Sequence, residues 1–254
     1  MADEILRTEG LTKEFGSFRA VDEVNLSVER GEFRSVIGPN GAGKTTTFNL
    51  VTGALAPTRG TVWFEGEDVT RLRPHDRVRR GIGRSFQIST VFGGLTVREN
   101  VRLAAQSVYD ERLGRLEKLL WPTTAFDEIT DRASDVLAQI GLEDRAEEPA
   151  RALAHGDRRR LEIGLVLATD PDLVMLDEPT AGMSGDETRR TMALIDDVLA
   201  DRTLLLIEHD IGLVMDVSDR ITVLNRGTVL ATGTPAEISE DAAVQEAYLG
   251  GVRE

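Results

Sequence analysis

Gly38-Pro39-Asn40-Gly41-Ala42-Gly43-Lys44-Thr45-Thr46 is the stretch on which the reading of the chain turns. It fits G-x-x-x-x-G-K-S/T, the pattern of a loop that wraps phosphate. A short apolar run, 33–37, precedes it, broken by Arg34 and Ser35. A helix-like segment, 45–52, follows and is closed by Gly53. Strand, glycine loop and helix form the context that gives the motif its meaning. Glycines let the backbone approach phosphate closely with several N–H groups turned inward. The helix N-terminus adds partial positive charge. Lys44 has the reach for the β- and γ-phosphates, and the Thr45 hydroxyl suits Mg²⁺. All nine residues are expected to line a nucleotide.

The chain of 254 residues suffices for one large α/β domain or a core with a smaller insert. Hydrophobic residues make up 41%, enough for a packed core. No segment approaches the roughly 18 apolar residues of a membrane span. The acidic start, Met1-Ala2-Asp3-Glu4, lacks the apolar region of a secretory signal. There is no cysteine, which excludes disulfides and thiolate metal sites. His75, His155 and His209 are too dispersed to suggest a zinc cluster. The net charge of -14 disfavours nucleic acid as a partner. Only three lysines occur, Lys13, Lys44 and Lys118. An acid-rich, lysine-poor surface suits a high-salt cytoplasm, where screening relaxes self-repulsion; stability with and without molar KCl tests this.

Residues 5–37 read as strands and turns. Ile5 to Glu9 forms a strand ending at Gly10, and Val24 to Val28 alternates at period two. Phe15 sits among polar neighbours; a nucleobase platform and a core anchor both fit its spacing. Thr61 to Phe64 with Glu65-Gly66 reads as strand and hairpin turn. Residues 71–80, rich in Arg, read as a solvated helix or loop, and 81–86 as a strand ending at Gln87.

Helical signals dominate from 95 to 152. Thr96 and Glu99 make a capping box. Leu113, Leu116, Leu119 and Leu120 recur at helical spacing up to Trp121-Pro122, and a second amphipathic helix covers 131–140. The α/β pattern then returns: a helix over 158–168, a buried strand over 173–176, a helix over 187–200 and a buried strand over 203–207. A hairpin over 221–230 and a helical piece over 235–249 close the chain.

The two apolar strands carry the chemistry at their ends. The first ends in Asp177-Glu178, where a carboxylate beside a phosphate loop holds Mg²⁺. Adjacent residues at a strand end point apart, so Asp177 is assigned to Mg²⁺ and Glu178 to the attacking water. The second ends in Glu208-His209-Asp210, which brings His209 to the same sheet edge. There it can bond the γ-phosphate and orient water with Glu178. A histidine after a strand also serves as a plain structural hydrogen-bonder. Gln87, uncharged donor and acceptor at another strand end, suits Mg²⁺ or water.

These pieces, in this order, make the sequence resemble the ATPase subunit of an ATP-binding-cassette transporter over almost its whole length. The resemblance implies an α/β fold: a RecA-like phosphate-loop NTPase core (1–94 and 153–235), carrying an N-terminal antiparallel β subdomain. It also implies a helical insert (95–152) and a C-terminal helical tail (236–254) within one domain. Phe15 falls where the family has its adenine-stacking aromatic, and Gln87 and His209 match its glutamine loop and switch histidine. Leu153, Ala154, His155, Gly156 and Asp157 fall at the signature that faces the ATP held by a second subunit. That signature commonly reads L-S-G-G-Q; here Ala154 lacks the hydroxyl, and His155 and Asp157 replace glycine and glutamine. After Thr180, Ser184 stands where the family carries the aspartate that couples the two sites.

Gly83-Arg84-Ser85-Phe86-Gln87, the run 158–164 and the ending Glu246-Ala247-Tyr248-Leu249-Gly250 resemble the branched-chain amino-acid uptake ATPases. The resemblance implies ATP and Mg²⁺ as cofactors, with Thr45, Gln87 and Asp177 on the metal. It implies a second ATPase subunit, two permeases and an extracellular binding protein as partners, and a place on the cytoplasmic face of the membrane. A urea or short-amide importer is the alternative substrate class. A non-transport ATPase of the same fold is the alternative use, although the coiled coils or basic surface of such proteins are not evident.

Overall fold

The computed structural model describes residues 3–84, 91–112 and 123–249. Gln87, the leucines at 113–120 and Trp121-Pro122 lie outside them. The chain forms two compact units: one of residues up to Arg77, Met175–Glu178 and those from Asp201 on, the other of Val78–Val174 and Pro179–Ala200.

The first unit holds two sheets. In one, β1 (Glu4–Phe15) pairs antiparallel with β2 (Phe18–Glu29) on one side. On its other side lies β4 (Arg59–Phe64), followed by β5 (Glu67–Asp68). The strand expected to end at Gly10 instead runs on to Phe15, with a register shift between Thr8 and Leu11. Side chains fill the ladder there. Thr8 Oγ1 donates to Val24 O (3.0 Å) and accepts from Leu26 N–H (2.9 Å), and Asn25 Oδ1 takes the Gly10 N–H (2.8 Å).

The second sheet centres on β3 (Phe33–Ile37), flanked in parallel by β8 (Thr203–Ile207) and β9 (Arg220–Asn225). β10 (Thr228–Gly233) pairs antiparallel with β9, and β7 (Leu173–Asp177) lies beside β8. Every residue of β7 and β8 is buried, which accounts for their unbroken apolar runs. The two polar residues inside β3 are buried and bonded. Arg34 reaches Glu32 Oε1 (2.6 Å), Thr222 Oγ1 (3.0 Å) and the Ser27 carbonyl (3.0 Å); Ser35 and Ser218 share a hydroxyl bond (2.6 Å).

α1 (Lys44–Val51) follows the phosphate loop. α2 (Pro74–Arg79) lies in the Arg-rich stretch expected to be solvated, and here the expectation fails at Arg77, which is 1% exposed. Its guanidinium donates to the carbonyls of Leu50 (2.8 Å), Val51 (2.5 Å), Thr70 (2.8 Å) and Leu72 (3.2 Å). The last carbonyls of a helix have no partner within the helix. Arg77 supplies donors to two of them in α1. Burial, opposed by the nearby Asp68, lowers its pKa to about 10.

α7 (Ile211–Val217), α8 (Pro235–Glu240) and α9 (Ala242–Leu249) complete this unit. The expected helix over 235–249 breaks at Asp241, whose carboxylate accepts from the N–H groups of Ala243 (2.8 Å) and Val244 (3.0 Å).

In the second unit, β6 (Ile82–Arg84) lies beside the start of β7. α3 (Val97–Arg112) and α4 (Thr123–Gln139) pack on α5 (His155–Ala168), and α6 (Gly185–Leu199) follows. The Thr96–Glu99 capping box forms: Thr96 N–H donates to Glu99 Oε2 (2.8 Å) and Glu99 N–H to Thr96 Oγ1 (3.1 Å). Ser184 and Glu187 form another at the start of α6. Among the described residues, no helix is long and apolar enough to cross a membrane.

Candidate nucleotide site

β3 ends at Ile37 and delivers Gly38, whose φ of +152° and close neighbours exclude a side chain. A Cβ there would lie 2.2 Å from the Leu224 carbonyl oxygen of β9. Gly43, with φ +99°, is the N-cap of α1, and a Cβ there would lie 2.6 Å from the Ala20 carbonyl oxygen of β2. Between them, Ala42 O accepts the Gly227 N–H (3.0 Å), and Gly227 O accepts the Asp22 N–H (2.8 Å). The phosphate loop is thus held by β2 on one side and the β9–β10 turn on the other.

Lys44 is buried, and its ammonium donates to the carbonyls of Gly38 (2.6 Å) and Pro39 (3.2 Å). Burial lowers its pKa, while the carboxylates of Glu178 and Asp177 pull it back up. The site therefore already places two negative charges where they favour the lysine cation.

β7 ends in Asp177, which is buried, and Glu178, which is not a continuation of the strand. Glu178 takes a left-handed backbone, φ +49°, and its N–H donates to the Ile207 carbonyl at the end of β8 (2.9 Å). That conformation is uncommon for a residue with a Cβ and clusters at functional sites. Two residues past Ile207, His209 Nε2 meets Glu178 Oε1 at 2.6 Å. The His209 N–H donates to Glu208 Oε2 (3.1 Å). The two residues assigned to the same sheet edge are therefore in direct contact. Both face an open cleft whose lining includes Asn40, Lys44 and Thr45.

Phe18 also lines this cleft. It pairs across the β1–β2 hairpin with Phe15. Both rings are largely exposed, and the Lys13 ammonium sits 5.2 Å from the Phe15 ring centre. Phe18 was not singled out from the sequence. The two-residue link Gly16-Ser17 between aromatics was the available signal, since it places both rings at one hairpin tip.

The signature residues lie in the second unit. Leu153 is buried, and Ala154 is the N-cap of α5 without a side-chain bond to its first amides. His155, Gly156 and Asp157 make the first turn, which sequence reasoning began at Arg158. Asp157 Oδ2 accepts from Arg145 Nη1 (2.5 Å), and Arg145 also donates to Glu148 (2.7 Å). Those bonds raise the Arg145 pKa, Glu148 contributing first and Asp157 next. A Cβ added at Gly156 would meet nothing within 4 Å among the described residues.

A hydroxyl on Thr45 and a buried carboxylate on Asp177 are hard oxygen donors of the kind Mg²⁺ takes. Among the described residues no three His, Cys, Asp or Glu side chains cluster as a metal cage. Mg²⁺ in nucleotide sites does not need one, because phosphate oxygens and water supply most of its shell.

Comparison with known proteins identifies the family. The ABC transporter family model matches residues 21–181, and that of the branched-chain amino acid ATP-binding cassette transporters matches 228–254. The chain is 43% identical over 256 residues to the high-affinity branched-chain amino acid transport ATP-binding protein LivG of Salmonella typhimurium, covering 98% of this chain and 99% of that one. It is 41% identical over 256 residues to the corresponding protein BraF of Pseudomonas aeruginosa, with the same coverage. The ADP conformation of an ATP-binding cassette of an ABC transporter superposes with a TM-score of 0.82, at 32% identity, over 97% of this chain and 99% of that one. The chain belongs to the ABC transporter family and is one of its ATP-binding, ATP-hydrolysing subunits.

Proposed function

We propose that this chain drives the import of branched-chain amino acids. Two ATPase subunits close around two ATP molecules at the cytoplasmic face of the membrane. Two permeases and an extracellular binding protein complete the assembly. The names of the LivG and BraF relatives and the matching C-terminal family model support the substrate class.

The contact between His209 and Glu178, beside a buried Lys44, carries the catalytic reading. Free backbone N–H groups of the phosphate loop and the Lys44 ammonium hold the phosphates. Glu178 accepts a proton from water as the water oxygen attacks the γ-phosphorus and the bond to the ADP oxygen breaks. His209 holds the Glu178 carboxylate in line. Thr45 and Asp177, and on family resemblance Gln87, would hold Mg²⁺, which would neutralise phosphate charge. The signature residues Leu153 to Asp157 face the ATP of the partner subunit, where the uncapped amides of α5 suit a phosphate.

Phe15 stacks on the adenine in this reading. Phe15→Ala is expected to weaken ATP binding about fivefold without lowering Tm, the scale of one lost base–aromatic contact. Titration with a fluorescent ATP analogue checks it, and an unchanged affinity would move the platform to Phe18.

Uptake of labelled leucine in a strain lacking this chain tests the transport reading. Leucine uptake is expected to fall to background and to return on complementation. Intact leucine uptake with lost urea uptake would replace the substrate class.

A further inference from the structure

Arg159 lies one turn into α5 and has no part in the site described above. Its Nε donates to the carbonyl of Pro179 (2.8 Å). Pro179 is buried and directly follows Glu178. On the same face of α5, Glu162 Oε2 accepts from Arg159 Nη1 (2.6 Å), which fixes the plane of the guanidinium. Both side chains are largely buried, so this is not an exposed ion pair of the kind that contributes little.

The backbone of Glu178 is unfavourable on two counts. A residue with a Cβ rarely adopts φ +49°, and a following proline pushes its neighbour towards extended backbone. Such a conformation persists only where its surroundings fix it from more than one side. On the N-terminal side, the Glu178 N–H is bound to Ile207 O (2.9 Å). On the C-terminal side, Pro179 has no N–H to give, and its ring locks its φ. The next backbone polar group after the Glu178 carbonyl is therefore the Pro179 carbonyl, the one that Arg159 holds.

We infer that Arg159 is a positioning residue for Glu178: by holding the Pro179 carbonyl it keeps the left-handed turn that brings Glu178 Oε1 to His209 Nε2. Without that bond the chain relaxes towards the extended backbone favoured before proline, and the carboxylate leaves His209. The phosphate loop is untouched. Arg159 thus acts on turnover and not on ATP affinity. Since α5 opens with residues 155–157 of the signature, the bond also ties that helix to the residue beside the base. The inference rests on the reading of Glu178 as the base, to which it adds a residue outside the cleft.

Arg159→Met keeps much of the stem and removes the donors. Turnover is expected to fall about tenfold with KM for ATP unchanged, less than the roughly hundredfold that a misplacement of about 1 Å can cost. Arg159→Lys, which keeps a charge beside Glu162 and a donor for Pro179, should recover part of the rate. Adding Arg159→Met to Glu178→Gln should cost no further rate, because the residue it acts through no longer takes a proton. In the nucleotide-free protein, the ring resonances of His209 should move in Arg159→Met and those of His75 should not. Additive losses in the double variant would overturn the inference. So would wild-type turnover with unmoved His209 resonances. A lowered Tm with the Lys and Met variants equally slow would overturn it too, since Arg159 would then be an ordinary packing residue. The ring resonances need no ATP. A Glu178→Gln protein hydrolysing at the wild-type rate would therefore count against the base, while His209 still decides the role of Arg159.

Discussion

Glu178→Gln is expected to lower ATP turnover by about 10²- to 10⁴-fold, the usual contribution of a positioned general base, and to leave ATP binding intact. The substitution keeps size and shape. The Gln carbonyl oxygen can still meet His209 Nε2 where Glu178 Oε1 now lies, at 2.6 Å. The backbone is unaffected as well, because the Glu178 N–H to Ile207 O bond does not involve the side chain. What disappears is one negative charge and the ability to take a proton from water. That charge is also one of two that favour the Lys44 cation against burial. Its loss lowers the Lys44 pKa further, but Asp177 still supports the charged lysine. Bound ATP then persists, and a dimer closed around it accumulates. Phosphate release measured with the full transporter gives the rate, and size-exclusion chromatography with ATP gives the dimer. A variant hydrolysing at the wild-type rate would remove Glu178 from the mechanism.

Arg77→Met is expected to destabilise the protein by about 4 kcal/mol, within the range for removing one member of a buried polar network. Methionine fills much of the same volume, so the loss is not mainly a cavity. It comes from the buried carbonyls of Leu50 and Val51 and the half-buried ones of Thr70 and Leu72, which would lose the guanidinium donors that now serve them. At the usual conversion for a domain of this size the melting temperature falls by roughly 10 °C. Arg77→Lys restores the charge but not the planar fork, and should recover only part of the loss. Thermal denaturation followed by circular dichroism is the measurement; melting temperatures within about 1 °C of wild type for Arg77→Met would show that the four bonds add little. The two substitutions separate cleanly. Glu178→Gln acts on rate at constant stability, while Arg77→Met acts on stability and weakens ATP binding through α1, whose first residue is Lys44.

Much of this was legible in the order of residues. The phosphate loop announces itself because its glycines and lysine are fixed by close backbone approach to a ligand, a local requirement. β7 and β8 were evident because both of their faces are buried. His209 and Glu178 could be set at one edge because each follows such a strand. Arg34 and Arg77 were not legible. Polarity reads as exposure until one knows which distant carbonyls and carboxylates surround a side chain, and those come from residues such as Thr222 and Leu50. Gly10 looked like a strand end because the side chains of Thr8 and Asn25, which fill the gap in the ladder, find partners on a different strand.

The bonds from Gly227 to Ala42 and from Asp22 to Gly227 have a thermodynamic consequence for nucleotide capture. A loop that must order around its ligand gives up conformational entropy when it binds, on the order of 1–2 kcal/mol per residue. Here that ordering is completed when the protein folds, because two segments far apart in sequence, β2 and the β9–β10 turn, fasten the loop before ATP arrives. Affinity then depends on how well the phosphates fit a rigid cradle, and ATP and ADP are separated by contacts to the terminal phosphate rather than by closure of the loop itself.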